Sequence, residues 1–223
     1  AGDTISAIPP ELEAAFGPLW SAGPPDPGLI LVAVRLGSRD AVPMAARLIG
    51  DARSTETDRI TLLRLLAERR APQVLEPALA LLREAPSAAM RQEALAAAQA
   101  IGGDEAARTV LTQALRHDEA WKNASLTVLA SRPSWASLLL DAVDAGTVPA
   151  AQVPRDVVRA LQSVVGETDK PRLATHWGTV NQTPEAKQKR IGELAALLAD
   201  GTGDPAAGRQ VFSLVCAACH TLH

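Results

Sequence analysis

The sequence is poor in aromatic rings: phenylalanine and tryptophan make up 3% of its 223 residues, and tyrosine is absent. Core volume must therefore come from leucine, alanine and valine, of which the first two are strong helix formers. Strand signals are missing too, because apolar and polar residues nowhere alternate over a strand's length and β-branched clusters are brief. No run of eighteen apolar residues occurs, and the strongest, Gly28 to Leu36, is too short to cross a bilayer and carries Arg35. Twenty-two basic against 25 acidic residues leave a net charge of −3, which offers no electrostatic footprint for nucleic acid. There is no Gly-rich phosphate loop, no Gly-x-Ser-x-Gly elbow and no carboxylate pair placed for hydrolysis, so no catalytic site is assigned. The start, Ala1-Gly2-Asp3, shows no basic n-region followed by an apolar stretch, so a signal peptide is not visible. Cysteine is the scarcest reactive type: there are two, and both fall in one pentapeptide near the end.

What is present reads as helix after helix. Hydrophobic residues reach 47%, enough for a folded chain of one or two domains. Residues 1–27 form a loop-rich lead-in with one short helix, Glu11 to Phe16, which Gly17-Pro18 should end; Phe16 and Trp20 should dock it onto the next element. Residues 28–200 break into helices at Gly37-Ser38, Gly50, Pro86-Ser87, Gly102-Gly103, Pro133, Gly146, Gly166 and Gly178. Thr55, Ser87, Asp104 and Thr183 are expected N-caps, Thr55 with Asp58 in a capping-box arrangement. In the helix after Thr55 the apolar stripe is read as Ile60, Leu63, Leu66 and Ala67. Gly201 to Gly203 form a hinge, and 203–215 read as a last helix with Asp204 as N-cap and Pro205 at its first position.

The helices pair, and the pairs repeat. Leu62, Ala67 and Leu82 recur as Leu95, Ala100 and Leu115, each 33 residues on, and Arg83 recurs as Arg116. Leu31, Val34 and Leu36 align with Leu62, Leu65 and Ala67, 31 residues on. A pair of short helices cannot bury its own apolar stripe, so each unit needs its neighbours, which is the signature of an α-solenoid. The array resembles HEAT-like repeats with shorter units, and roughly five pairs fit between Gly28 and Leu198. The expected fold is all-α: an α-solenoid of HEAT-like helix pairs at 28–200, then a truncated cytochrome c helix at 201–223.

The two cysteines define the functional expectation. Cys216-Ala217-Ala218-Cys219-His220 is a Cys-x-x-Cys-His motif, the attachment signature of a c-type haem. On a helix, positions i and i+3 share a face, so two thiols can form thioethers along one porphyrin edge while the next histidine ligates the iron. Two other chemistries compete. A dithiol redox pair normally follows a strand, and none is evident here. Zinc would draw on Cys216, Cys219, His220 and His223, crowded into eight residues where structural sites usually bring ligand pairs across a loop.

The run into the motif resembles the first helix of class I cytochromes c. The matching residues are Gly203-Asp204, Gly208 followed by Arg209, Phe212, then Cys216, Cys219, His220 and Thr221. The resemblance covers about the last twenty residues. It implies haem c held by Cys216 and Cys219, with His220 as proximal iron ligand. No distal ligand is identified: Met44 and Met90 read as core filler, and His176 beside Trp177 is weighed as a distal ligand and set below packing. In that family the glycine and aromatic pack against a C-terminal helix, which here would lie beyond His223, so Val211, Phe212 and Val215 should form an exposed apolar patch. The order of segments resembles large exported bacterial proteins in which helical repeats precede a C-terminal haem domain, sometimes behind a propeller dehydrogenase. That implies a periplasmic or otherwise exported location, electron transfer, and a redox partner protein or linked dehydrogenase domain. The rival expectation is a scaffold whose repeats bind another protein without haem. The remaining residues that draw attention have structural readings. His117 should complement a helix C-terminus, Trp121 and Trp135 should pack between repeats, and Arg69-Arg70 and Lys187 to Arg190 should be solvated faces.

Overall fold

A computed structural model describes residues 8–21, 26–178 and 185–217. Among them it is all-helical, with no strand. Inter-residue contacts divide the chain into two units, Ala1–Gly178 and Thr179–His223. The helix at 185–200, read from the sequence as the last of the repeats, therefore falls in the second unit with the terminal helix.

The first unit contains α1 (Pro10–Ser21), α2 (Pro27–Arg35), α3 (Ala41–Gly50), α4 (Glu56–Glu68), α5 (Leu75–Glu84), α6 (Ala88–Ile101), α7 (Asp104–Ala114), α8 (Glu119–Leu129), α9 (Pro133–Asp144), α10 (Arg155–Val164) and α11 (Lys170–Trp177). Single 3₁₀ turns, Pro72–Val74 and Ala150–Gln152, precede α5 and α10. From α2 onward, the extended helix contacts join elements adjacent or next-but-one in the chain: α2 with α3 and α4, α3 with α4 and α5, α4 with α6, α5 with α6 and α7, and so on to α10 with α11. The even-numbered helices α2 to α10 thus form one row and the odd-numbered α3 to α9 another, with the apolar core between them.

Local signals account for most helix ends. Asp26, Thr55, Ser87 and Asp118 cap α2, α4, α6 and α8, each accepting a backbone N–H three residues on. Thr55 also donates its hydroxyl to Asp58 at 2.6 Å, so the capping pair is reciprocal through side chains. Asp104 is not a cap: it is the first residue of α7, and Gly103 at φ 93° stands before it without a side-chain bond. Thr183 lies outside the described residues.

The lead-in departs from expectation. Helix α1 runs through Gly17-Pro18 to Ser21. A proline at that depth removes one i→i−4 bond and crowds the carbonyl four residues back. Contacts around it compensate. Phe16 is buried and stacks on Trp20 one turn later (centroids 5.3 Å apart, planes 14° apart), and Ser21 donates its hydroxyl to the Gly17 carbonyl at 3.2 Å. Glu13 anchors the same helix by accepting from the Ser38 hydroxyl at 2.9 Å.

The buried register also corrects the sequence alignment. Leu62, Leu63 and Leu66 of α4 match Ala94, Leu95 and Ala98 of α6, all buried and 32 positions on. Val74, Ala78 and Leu82 match Ala106, Val110 and Ala114 at the same spacing. The 33-residue match of Leu82 with Leu115 fails because Leu115 is 41% exposed, just past the end of α7. In α4 the core stripe is Arg59, Leu62, Leu63 and Leu66: Leu63 and Leu66 are buried as expected, while Arg59 and Leu62 stand in the core in place of the expected Ile60 and Ala67, which are half-buried. Arg59 can lie inside because its Nε donates to the Ile49 carbonyl at 2.7 Å, at the C-terminal end of α3, while its aliphatic stem packs.

The second unit contains α12 (Glu185–Asp200) and α13 (Pro205–Val215). No helix among the described residues is long and apolar enough to cross a membrane.

Candidate functional site

The terminal helix begins as its sequence dictates. Asp204 Oδ1 accepts from the N–H groups of Ala206 (2.8 Å) and Ala207 (3.2 Å), and Pro205 occupies the first helical position, where its missing N–H costs nothing. Eleven residues later α13 ends. Cys216 is its C-cap, at φ −114° and ψ −28°, and both Cys216 and Ala217 direct their N–H groups to the Phe212 carbonyl, at 2.8 and 2.9 Å. The helix thus ends at Val215, where the Phe212 carbonyl accepts an α-type i→i−4 bond from Cys216 and a wider i→i−5 bond from Ala217. Cys219 and His220, with His223, lie outside the described residues.

Helical spacing places Pro205, Arg209, Phe212 and Cys216 along one stripe of α13. Cys216 and Phe212 are half-buried. Val211 (59%) and Val215 (73%) are exposed, as expected for the apolar patch; Phe212, expected with them, is half-buried, and Leu214 (86%) is exposed beside them. In α12, Ile191, Leu194 and Leu198 make a second exposed apolar stripe, and Lys187, Lys189 and Arg190 are solvated, Arg190 pairing with Glu193 at 3.1 Å.

The other residues singled out from the sequence have structural partners in the first unit. His176 Nε2 lies 2.6 Å from Asp144 Oδ1, and Trp177 Nε1 donates to the Ala150 carbonyl at 3.0 Å. That histidine nitrogen is therefore engaged in tying α11 to α9. Among the described residues His117 makes no hydrogen bond to a helix end; it stands edge-on to Trp121 at 5.7 Å. Trp121 donates to the Gln113 carbonyl at 3.0 Å, and Trp135 is buried beneath the Arg132 guanidinium at 4.7 Å. Met90 is buried and Met44 half-buried. Arg69 is not a simple solvated residue, since its Nη2 donates to the Arg35 carbonyl at the end of α2, 2.9 Å away.

An ionic cluster between α9 and α11 escaped the sequence reading. Arg172 binds Asp141 (2.6 Å), Asp144 (2.6 Å) and Asp169 (2.7 Å), and Ser137 donates its hydroxyl to Asp169 at 2.6 Å. Hydrogen bonds from His176 and then Arg172 hold the Asp144 carboxyl below its ordinary value; those from Ser137 and then Arg172 do the same for Asp169. The three carboxylates in turn raise the Arg172 guanidinium above its own. The helical spacing of Asp141 with Asp144, and of Asp169, Arg172 and His176, was readable. Their meeting across 28 to 32 residues was not.

Among the described residues no group of three or more His, Cys, Asp or Glu side chains could hold a metal ion. No protein-family model, curated protein or solved structure matches the chain.

Proposed function

We propose that this chain carries the start of a c-type haem-binding electron-transfer unit, with the first unit's helix pairs as its mounting. The observation that carries the reading is the Cys216-x-x-Cys219-His220 motif set directly at the end of a helix capped by Asp204. The described residues fit such a group on the side they cover. Cys216 is partly accessible at the helix end, and Val211, Leu214 and Val215 expose apolar surface of the kind a porphyrin or a closing helix buries. Cys216 and Cys219 would hold haem c and His220 would ligate its iron. When bound, the haem supplies one-electron chemistry, while the chain fixes its ligation, burial and orientation. The redox partner would be a separate protein or a linked dehydrogenase domain, and attachment of this kind belongs to an exported, periplasmic setting.

The mounting is read as an α-solenoid of HEAT-like pairs. Its support is the contact pattern, adjacent or next-but-one, together with buried positions returning about every 32 residues, as expected of a quasi-one-dimensional stack. The second reading, a helical-repeat scaffold without haem, draws on the core that the first unit has of its own.

The decisive experiment is expression through a periplasm with active c-haem maturation, with Cys216→Ala/Cys219→Ala as control. A haem-sized mass increment and sharp reduced-state bands, both lost in the control, are expected. An apo mass with a featureless difference spectrum would leave the scaffold reading.

A further inference from the structure

Arg83 of α5 and Glu105, Arg108, Thr109, Thr112 and Gln113 of α7 line an open groove of about 240 Å³. Thr109 and Gln113, one helical turn apart, form its floor and are only 8% and 4% exposed. Gln113 gives its backbone carbonyl to Trp121, yet its side-chain amide has no protein partner among the described residues and is not sealed from solvent. The Thr109 hydroxyl is in the same state, whereas that of Thr112 is satisfied by the Arg108 carbonyl at 2.8 Å. At the rim, Arg83, Arg108 and Glu105 are exposed, and none of them is in an ion pair among the described residues.

Water reaches these groups, and two deeply set polar side chains with no protein partner under two solvent-facing guanidiniums offer donors to a ligand that supplies acceptors. The geometry points to a carboxylate-binding groove, with Arg83 and Arg108 supplying charge and Thr109 and Gln113 supplying hydrogen bonds. Its volume is below the ~300–1,000 Å³ of pockets that enclose drug-sized molecules, so it takes one small group and not a nucleotide. Glu105 at the rim leaves a single net positive charge, which one carboxylate balances and a phosphate dianion exceeds. The carboxylate is either a small free acid or an acidic side chain on a partner polypeptide; the recognition chemistry is the same.

The test is an amide NMR titration of the full chain with three probes: acetate, a capped Ala-Glu-Ala peptide and inorganic phosphate. Saturable shifts at Thr109 and Gln113 are expected with a midpoint on the order of millimolar. Arg108→Gln should weaken binding about tenfold, and Glu105→Gln should tighten it several-fold by removing a like charge. Arg116→Gln, which removes the same charge from outside the groove, should leave binding unchanged. Unperturbed spectra elsewhere establish that each variant is folded. Tighter binding of the peptide than of acetate assigns the groove to a partner's side chain, and equal binding assigns it to a free acid. Absence of saturation with both carboxylates, equal losses in Arg108→Gln and Arg116→Gln, or a preference for phosphate would overturn the assignment.

Discussion

Two residues with positive φ make opposite tests of the same backbone physics. Gly102 ends α6 at φ 83°, and a Cβ placed there would collide with the Arg132 guanidinium, whose Nη2 donates to the Gln99 carbonyl. Gly102→Ala should cost about 1–3 kcal/mol, because a positive φ with an extended ψ of −158°, a region essentially reserved for glycine, is combined with displacement of a capping arginine. Arg70 sits at φ 52° after α4 without glycine's freedom. It is held by a paired C-terminal turn: its N–H reaches the Ala67 carbonyl and that of Ala71 reaches Leu66, both at 2.9 Å. Arg70→Gly should therefore stabilise by about 0.5–1 kcal/mol, the left-handed penalty less glycine's extra chain entropy. Urea denaturation midpoints of both variants check the pair. Two changes of the same sign would show that the backbone argument is wrong.

Helices in this chain are joined by arginines as well as by apolar side chains. Arg59 reaches the end of α3, Arg69 the end of α2 and Arg132 the end of α6, each placing a cation on carbonyls that a helix C-terminus leaves unpaired. The Arg172 cluster does comparable work between α9 and α11 and carries a pH dependence. Asp144 and Asp169 have folded pKa values below the unfolded value of about 3.9. Their contribution is therefore complete above pH ~4 and is lost as pH falls through the lowered folded values. Arg172→Met should remove the share of that acid-sensitive part that Arg172 supplies, leaving the His176 and Ser137 bonds, and set three carboxylates in mutual repulsion at neutral pH. Its destabilisation should then be larger at pH 7 than at pH 3, as read from denaturant midpoints; a larger deficit at pH 3 would contradict the assignment. Helix existence and most stops were legible, because caps and glycines act within three or four residues. These joints were not, since a sequence does not show which carbonyl a buried arginine will meet.

For the whole molecule, the division after Gly178 carries its own prediction. The core of the first unit is formed from its own helices, so residues 1–178 alone should unfold cooperatively, at nearly the midpoint of the full chain. Thermal unfolding followed by circular dichroism would show it. A broad, non-cooperative melt would mean that the core depends on the rest of the chain. The second unit is different in kind: α12 and α13 each expose an apolar stripe, so what covers them is central to the haem reading.

The sequence by itself determined the all-helical class, the pairing of helices at a period of just over thirty residues, the Asp204 cap and the Cys-x-x-Cys-His motif. Each is a matter of residue type and short spacing. Tertiary structure decided which face of each helix is core. A slip of one residue turns a helix face by 100°, and only contact with the neighbouring pair can choose Arg59 over Ile60 or Ala114 over Leu115. It likewise decided that α1 continues through Pro18, that His176 pairs with Asp144, and that two arginines share a groove with a buried threonine and glutamine. In each case the deciding partner comes from another turn or another helix, where local propensity has no information.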